Sequence, residues 1–172
     1  MQKKEEKPIS IEVLNPFKNV LIIGTGAIGS LFKAELTKNN KQIEVTLVSH
    51  GDITEELLVG VEVIILATPN QTVKEMVTSV LEKIPEDVTM PTIVLIQNGV
   101  GVVEQALDAS KDRKLPIVRG SVFTQVTKTG EELEYNAKKL RIALSPVAMN
   151  QNLDRVNTPF SAAKFKTETY EN

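Results

Sequence analysis

A chain of 172 residues, 41% hydrophobic and 24% charged, has the size and composition of one globular domain that can bury a core without covalent staples. It contains no cysteine, which excludes disulfides and thiolate metal sites, and no metal site is expected; its 20 basic and 22 acidic residues (net charge −2) and 4% aromatic content argue against a nucleic-acid partner. No apolar run approaches a membrane span and the charged residues 1–7 lack the apolar stretch of a signal peptide, so a cytoplasmic protein with no membrane partner is expected.

Hydrophobic periodicity makes the elements legible in chain order. Val20 to Ile23 is a buried strand that runs into Gly24-Thr25-Gly26-Ala27-Ile28-Gly29, and residues 27–38 then carry Ile28, Leu31, Phe32 and Leu36 on one helical face. A strand, a Gly-x-Gly-x-x-Gly turn and a helix in immediate succession point to a bound dinucleotide. Gly24 permits the tight turn, Gly26 lets the backbone approach a pyrophosphate, and Gly29 lets the helix pack on the strand. The helix N-terminus offers N–H groups and a positive dipole end to the phosphates. Residues 43–48 form a second strand, and residues 61–67 a central one stopped by Thr68-Pro69-Asn70, because proline cannot extend a ladder. Residues 72–83 place Val73, Met76, Val77, Val80 and Leu81 at helical spacing. Residues 92–96 are another β-branched strand, followed by Gln97-Asn98-Gly99-Val100-Gly101 and a helix over 102–109. Residues 117–127 and 133–144 read as longer, antiparallel-style strands around the turn at Thr129-Gly130; residues 153–163 read as a weak helix and 164–170 as an edge strand.

The alternation predicts an α/β fold: a Rossmann-like, doubly wound, mostly parallel sheet with helices on both faces and antiparallel strands towards the C-terminus. Residues 1–17 are expected to be a flexible tail and lead-in, and 18–172 a single dinucleotide-binding domain. Ligands of such sheets lie outside the carboxyl ends of the strands. There the sequence offers the glycine turn, Ser49-His50-Gly51-Asp52, Ala67-Thr68-Pro69-Asn70-Gln71 and Gln97-Asn98-Gly99. Neither Ser49 nor His50 is acidic, which favours NADP(H) over NAD(H); Asp52 becomes the ribose partner if its turn folds back. His50, the sole histidine, is either an exposed loop residue or a phosphate contact that strengthens on protonation. Asn98 suits ligand contact because an amide both donates and accepts, and Gly99 leaves room beside it; the alternative is a turn-forming Asn-Gly pair.

The glycine turn, then Ile96-Gln97-Asn98-Gly99-Val100-Gly101, then Gly120-Ser121 with a strand running to Thr129-Gly130, resemble the ketopantoate reductase family in order and spacing. Residues 160–172 also look like the end of that family's cofactor domain. The resemblance implies an NADPH-binding domain of an enzyme that reduces 2-dehydropantoate, or a related 2-keto acid, to the hydroxy acid on the way to pantothenate and coenzyme A. It implies a cofactor site made of Gly24, Thr25, Gly26, Ala27, Ile28, Gly29, Ser49, His50, Thr68, Pro69, Asn98 and Val126, with Asn98 also positioning substrate.

Three departures accompany it. His50 stands where the family usually has an arginine or lysine for the 2′-phosphate, and Pro69 stands near the place of a common lysine. The stretch from Asp52 to Val61 is too short for the helix, strand and loop that the family inserts there, so either the sheet edge is pruned or a stretch of chain is missing. The family's general acid is a lysine on a following helical domain, which residues 1–172 do not include; no catalytic residue is identified in this chain, and an isolated cofactor domain is expected to bind nucleotide better than it turns over substrate. A positioned acid contributes typically 10²- to 10⁴-fold to such a step. The same fold is open to a non-catalytic nucleotide sensor or interaction protein, or to another Rossmann dehydrogenase. Without a helical partner the strand-end face is exposed, which makes a homodimer an expectation as well.

Overall fold

The structure is a computed structural model that describes residues 17–110, 113–148, 156–157, 160–161 and 163–170. The tail expected over 1–17 lies outside these residues apart from Phe17, as does most of the helix expected over 153–163.

One seven-stranded sheet forms the centre, in the order β2-β1-β3-β4-β5-β8-β9. Its strands are β1 (Asn19–Ile23), β2 (Glu44–Val48), β3 (Val63–Leu66), β4 (Thr92–Leu95), β5 (Ile117–Val122), β8 (Arg141–Ala148) and β9 (Lys166–Thr169). The first five are mutually parallel, β8 is antiparallel to β5, and β9 is parallel to β8 at the far edge. All four residues of β3, Val-Ile-Ile-Leu, and all four of β4, Thr-Ile-Val-Leu, are buried. Central parallel strands are covered on both faces, so they read as apolar runs rather than alternating ones.

Two cores follow from the strand pleat. On one face Val20, Ile22, Val63, Ile65 and Val94 meet Leu31, Phe32 and Leu36 of α1 (Ala27–Asn39). On the other, Leu21, Ile23, Ile64 and Leu66 meet α2 (Glu55–Leu58), α3 (Val73–Lys83) and α4 (Val102–Ala109). The buried residues of α3, Val73, Met76, Val77, Val80 and Leu81, are the stripe that a 3.6-residue period requires. β2 is one edge strand of the sheet. A 3-10 turn at His50–Asp52 and the one-turn helix α2, whose first turn is capped by the Thr54 hydroxyl accepting from the Leu57 N–H at 3.4 Å, lead directly into β3. No helix of the described residues is long and apolar enough to cross a membrane.

The chain after β4 departs from the expected pair of long strands over 117–127 and 133–144. Each is broken in two. β6 (Val126–Thr129) and β7 (Glu132–Tyr135) leave the main sheet as a separate antiparallel hairpin, while β5 and β8 stay in it. Thr124 makes the break: its hydroxyl donates to the Lys139 carbonyl at 3.1 Å and accepts from the Arg141 N–H at 3.1 Å. This clamps the points where the chain leaves the sheet and returns. Alternation of apolar and polar residues continues across such a break, so the pattern alone cannot reveal it. The hairpin packs on α1, where the Tyr135 hydroxyl donates to the buried Glu35 carboxylate.

Phe32 of α1 anchors this layer. It stacks on Phe165 at 5.0 Å and meets Phe160 edge-on at 5.4 Å, all three rings being buried. Truncating a buried phenylalanine costs about 3–5 kcal/mol, much of the stability of a typical domain. Phe32→Ala is therefore expected to lower the unfolding free energy from denaturant titration by that amount and Phe32→Leu by well under half of it; equal, small losses would show that this cluster is peripheral.

Candidate functional site

The carboxyl ends of β1, β2 and β3 are tied together through the glycine turn. The Gly24 N–H donates to the Val48 carbonyl at 2.9 Å, and the Ala67 N–H donates to the Ile23 carbonyl at 2.8 Å. Gly24 has φ +121°, and a Cβ on it would lie 2.5 Å from the Ala67 oxygen. A Cβ on Gly29 would lie 1.8 Å from the Gly24 oxygen. The protein's own packing thus demands glycine at both positions. Gly26 is different: its φ is −69°, which any residue adopts, and a Cβ there would meet nothing within 4 Å. It is also the N-cap of α1, with no side-chain cap and no acidic residue in the first turn. The N-terminal N–H groups of α1 and its positive dipole end therefore face an open space beside a residue without a side chain.

A cleft of about 160 Å³ opens next to this turn, lined by Ile28, Ala67, Thr68, Ile96, Gln97, Asn98, Val122 and Thr124. Thr124 in this lining is hydrogen-bonded on both sides, but Thr68 and Gln97 are not, and neither is Asn70, which lies two residues beyond Thr68 outside the lining. The Thr68 hydroxyl, the Asn70 side-chain oxygen and both ends of the Gln97 amide are buried without a hydrogen bond, and Gln97 is 7% exposed. Buried polar atoms are normally paired, so a group of orphans at one place signals a missing partner. Asn98 is exposed at the rim and forms no side-chain hydrogen bond among the described residues, so its amide is not spent on the turn. A larger groove of about 420 Å³ lies at the amino ends of β3 and β4, lined by Phe17, Leu58, Gly60 and Met90 among others, but no orphaned atom faces it.

The residues singled out from the sequence fall into three places. Gly24, Thr25, Gly26, Ala27, Ile28 and Gly29 form the turn and the start of α1, and Thr68 and Asn98 join Ile28 at the cleft. Ser49 and His50 lie just past β2, where the turn does fold back: the Ser49 hydroxyl donates to the Asp52 carboxylate, and His50 is exposed. Pro69 and Val126 are not part of the cleft lining. Pro69 starts the 3-10 turn at Asn70–Thr72 by accepting the Thr72 hydroxyl at 2.8 Å, and Val126 packs, partly buried, on the α1 core.

Two cleft residues, Gln97 and Thr124, were not singled out individually by sequence, although Gln97 sits in the noted Gln-Asn-Gly segment. Lys128 of β6, which lies outside the cleft lining in a neighbouring groove with Ser30, Lys33 and Glu131 but touches the glycine turn, was missed outright. Its Nζ donates to the Thr25 carbonyl at 2.9 Å and the Ser30 hydroxyl at 3.0 Å. The signal would have been the cation just before the Thr129-Gly130 turn, but nothing in the sequence says that the hairpin folds back over α1.

A glycine turn between a parallel strand and a helix, at the point where the strand order reverses, defines a Rossmann-like dinucleotide fold. The profile of the family "Ketopantoate reductase PanE/ApbA" matches residues 58–148, more than half of the chain and including Gln97-Asn98-Gly99. The chain belongs to that family. Among solved structures, it is similar to a PanE/ApbA family ketopantoate reductase from Ralstonia eutropha, with 13% identity and a TM-score of 0.70 over 90% of this chain and 57% of that one. It is also similar to a 2-dehydropantoate 2-reductase from Methylococcus capsulatus, with 22% identity and a TM-score of 0.65 over 90% and 57% of the two chains. A D-mandelate dehydrogenase solved with NADH and anilino(oxo)acetate shares 14% identity and a TM-score of 0.67 over 88% and 56%. The chain therefore spans less than two thirds of the length of these structural relatives. None of the curated proteins compared matches it.

The geometry separates two glycine substitutions. Gly26→Val is expected to leave the thermal midpoint within the spread of surface changes, about 0.5 kcal/mol, whereas Gly29→Ala meets backbone and is expected to prevent a cooperative fold; circular dichroism melts distinguish them. The hairpin supplies a pH prediction. The Glu35 carboxylate beside it, and then burial, push the Tyr135 phenol up to about 12. A phenol raised above its ordinary value near 10 stabilises the fold fully below that pH and loses this contribution as the pH rises through 12. Hairpin docking should thus loosen between pH 10 and 12, and Tyr135→Phe should remove a late-titrating phenol from the ultraviolet titration.

Proposed function

We propose that this chain binds a nicotinamide dinucleotide across the carboxyl ends of β1, β2, β3 and β4, and that it is the cofactor-holding part of an oxidoreductase acting on a 2-keto acid such as 2-dehydropantoate. One observation carries this reading: Gly24 and Gly29 are explained by the protein's packing and Gly26 is not, while the uncapped start of α1 lies beside it. A pyrophosphate fits that space and that charge. The orphaned Thr68, Asn70 and Gln97 atoms fit the polar groups of the nicotinamide end, and family membership and the NADH-bound D-mandelate dehydrogenase support the same class of ligand.

The residues present account for binding and orientation. A bound reduced nicotinamide supplies a hydride. Asn98 offers an amide at the rim that can fix a carbonyl or carboxylate of the substrate, and the apolar walls from Ile28, Ile96 and Val122 exclude water. Hydride addition leaves negative charge on the former carbonyl oxygen, which must then take a proton. No side chain lining the cleft ionises near neutral pH, and Lys164 and Lys166 are exposed and not among its lining residues. The proton donor is therefore proposed to come from outside the described residues. The same neutrality favours, as a second reading, a nucleotide sensor of this fold that carries out no reduction.

The end of β2 bears on the choice of dinucleotide. Asp52 is held beside Ser49 just past β2, and a carboxylate near that strand end would suit a ribose 2′-hydroxyl and repel a 2′-phosphate. This supports NAD(H) as the favoured form, against the sequence expectation of NADP(H).

Fluorescence titration of the 172-residue chain with NADH and NADPH tests these readings. Saturable binding is expected that Gly26→Val abolishes; unchanged affinity in that variant would sink the assignment. Asp52→Asn and His50→Arg are each expected to raise the NADPH-to-NADH affinity ratio several-fold, the latter by offering a fixed charge to the 2′-phosphate. Turnover of a 2-keto acid with NADH or NADPH decides between reductase and sensor.

A further inference from the structure

Resting on the nucleotide reading above, we infer that Lys128, carried by the β6–β7 hairpin, is a ligand of the dinucleotide's pyrophosphate. The cation that the glycine turn needs comes from a different element than β2.

Lys128 is half-buried on β6, and its two partners, the Thr25 carbonyl and the Ser30 hydroxyl, are neutral. It forms no ion pair with a carboxylate among the described residues. An ammonium has three donors and two are used, which leaves one for a further acceptor. Its setting is electrostatically unfavourable as it stands: Ser30 is in the first turn of α1, so a cation sits at the positive end of a helix dipole. A bound anion reverses that sign, because it is attracted by the lysine and the helix end together.

Two further observations point the same way. The lysine is not on a free arm: the hairpin is fastened to α1 by the Tyr135–Glu35 hydrogen bond and is packed against the core through Val126. Independently, the cleft on the Ile28 side of the same helix start calls for a ligand, since Gln97 is more than nine-tenths buried there with both amide atoms unpaired, while Lys128 lines the adjoining groove on the Ser30 side. Lys128 touches the glycine turn, whereas the groups placed to meet the adenosine ribose, Ser49 and Asp52, lie past the end of β2. That separates a pyrophosphate contact, common to NADH and NADPH, from a 2′-phosphate contact, present only in NADPH.

The test compares wild type, Lys128→Gln and Lys128→Arg in the whole 172-residue chain, titrated with NADH and with NADPH at low and at 0.5 M salt, with a thermal melt of each. The expected result is a Kd raised roughly tenfold for both dinucleotides in Lys128→Gln, as fits the loss of a charge-assisted bond, with most affinity retained in Lys128→Arg, a flatter salt dependence in the glutamine variant and an unchanged melting midpoint. Equal affinities in wild type and Lys128→Gln would overturn the inference, and so would a loss confined to NADPH. A loss matched by a midpoint several degrees lower overturns it too, because the lysine is then a tether of the hairpin. If the wild type binds neither dinucleotide, the nucleotide reading itself fails and takes this one with it, a result distinct from tight wild-type binding that the substitution leaves untouched.

Discussion

Everything at the carboxyl end of this sheet depends on a contact between backbones at Gly29 and Gly24. Because no Cβ intervenes, α1 starts directly against the end of β1, and Gly24 in turn lies against the Ala67 carbonyl that follows β3. Hydrogen bonds from Gly24 to Val48 and from Ala67 to Ile23 bring the ends of β2 and β3 to the same point. Four elements are thereby locked together with their ends exposed and their bodies buried. The helix is aimed and its N-terminus is left uncapped, beside a cleft lined from α1 and from the carboxyl ends of β3, β4 and β5.

The two ends of the sheet are treated differently, and the contrast locates the site. At the amino end, the Glu62 carboxylate accepts the Lys18 and Asn19 N–H groups at 2.8 and 3.3 Å, so the start of β1 is satisfied. At the carboxyl end, Thr68, Asn70 and Gln97 are left without partners. An unmade hydrogen bond on a buried group costs about 1–3 kcal/mol, so this end gives up stability that the other end keeps. Such a loss is tolerable where something else completes the bonds. On the proposed reading, the ligand does so, and binding then stabilises the fold as well as filling the cleft.

Much of this was legible in the sequence because the signals were local. The glycine turn, the stripe of α3 and the helix at Val102–Ala109 each rest on neighbours within a few residues, and the structure has them within a residue or two of the expected bounds. The short link between β2 and β3 was likewise readable, since a segment of that length has no room for another strand. What sequence did not reveal is long-range. Thr124 ends β5 through bonds to Lys139 and Arg141, and Tyr135 docks the hairpin on Glu35 across 100 positions of chain. An alternating pattern looks the same whether a strand continues in its sheet or leaves it. Lys128 could therefore be seen as a surface lysine of a strand, not as a neighbour of Thr25, which is 103 positions away. Asp52 was a conditional case: its role turned on whether a three-residue turn folded back, which composition could not decide.

The distribution of charge around the crevice carries the last step. Lys128 and the start of α1 lie on the glycine-turn side, Asp52 beyond β2, while every residue lining the cleft near Asn98 is neutral. On the proposed reading, the ionic groups would meet the phosphates and ribose of a dinucleotide and the uncharged hydrogen-bonding groups its ring. A neutral, partly apolar pocket suits hydride transfer, since a fixed charge beside the ring would bias the equilibrium between its cationic oxidised and neutral reduced forms. The same neutrality withholds the proton that reduction of a carbonyl needs. On the proposed reading, binding and proton delivery are then separate tasks: the cleft residues serve the first, and a reductase of this fold would bring its acid to the exposed side of Asn98.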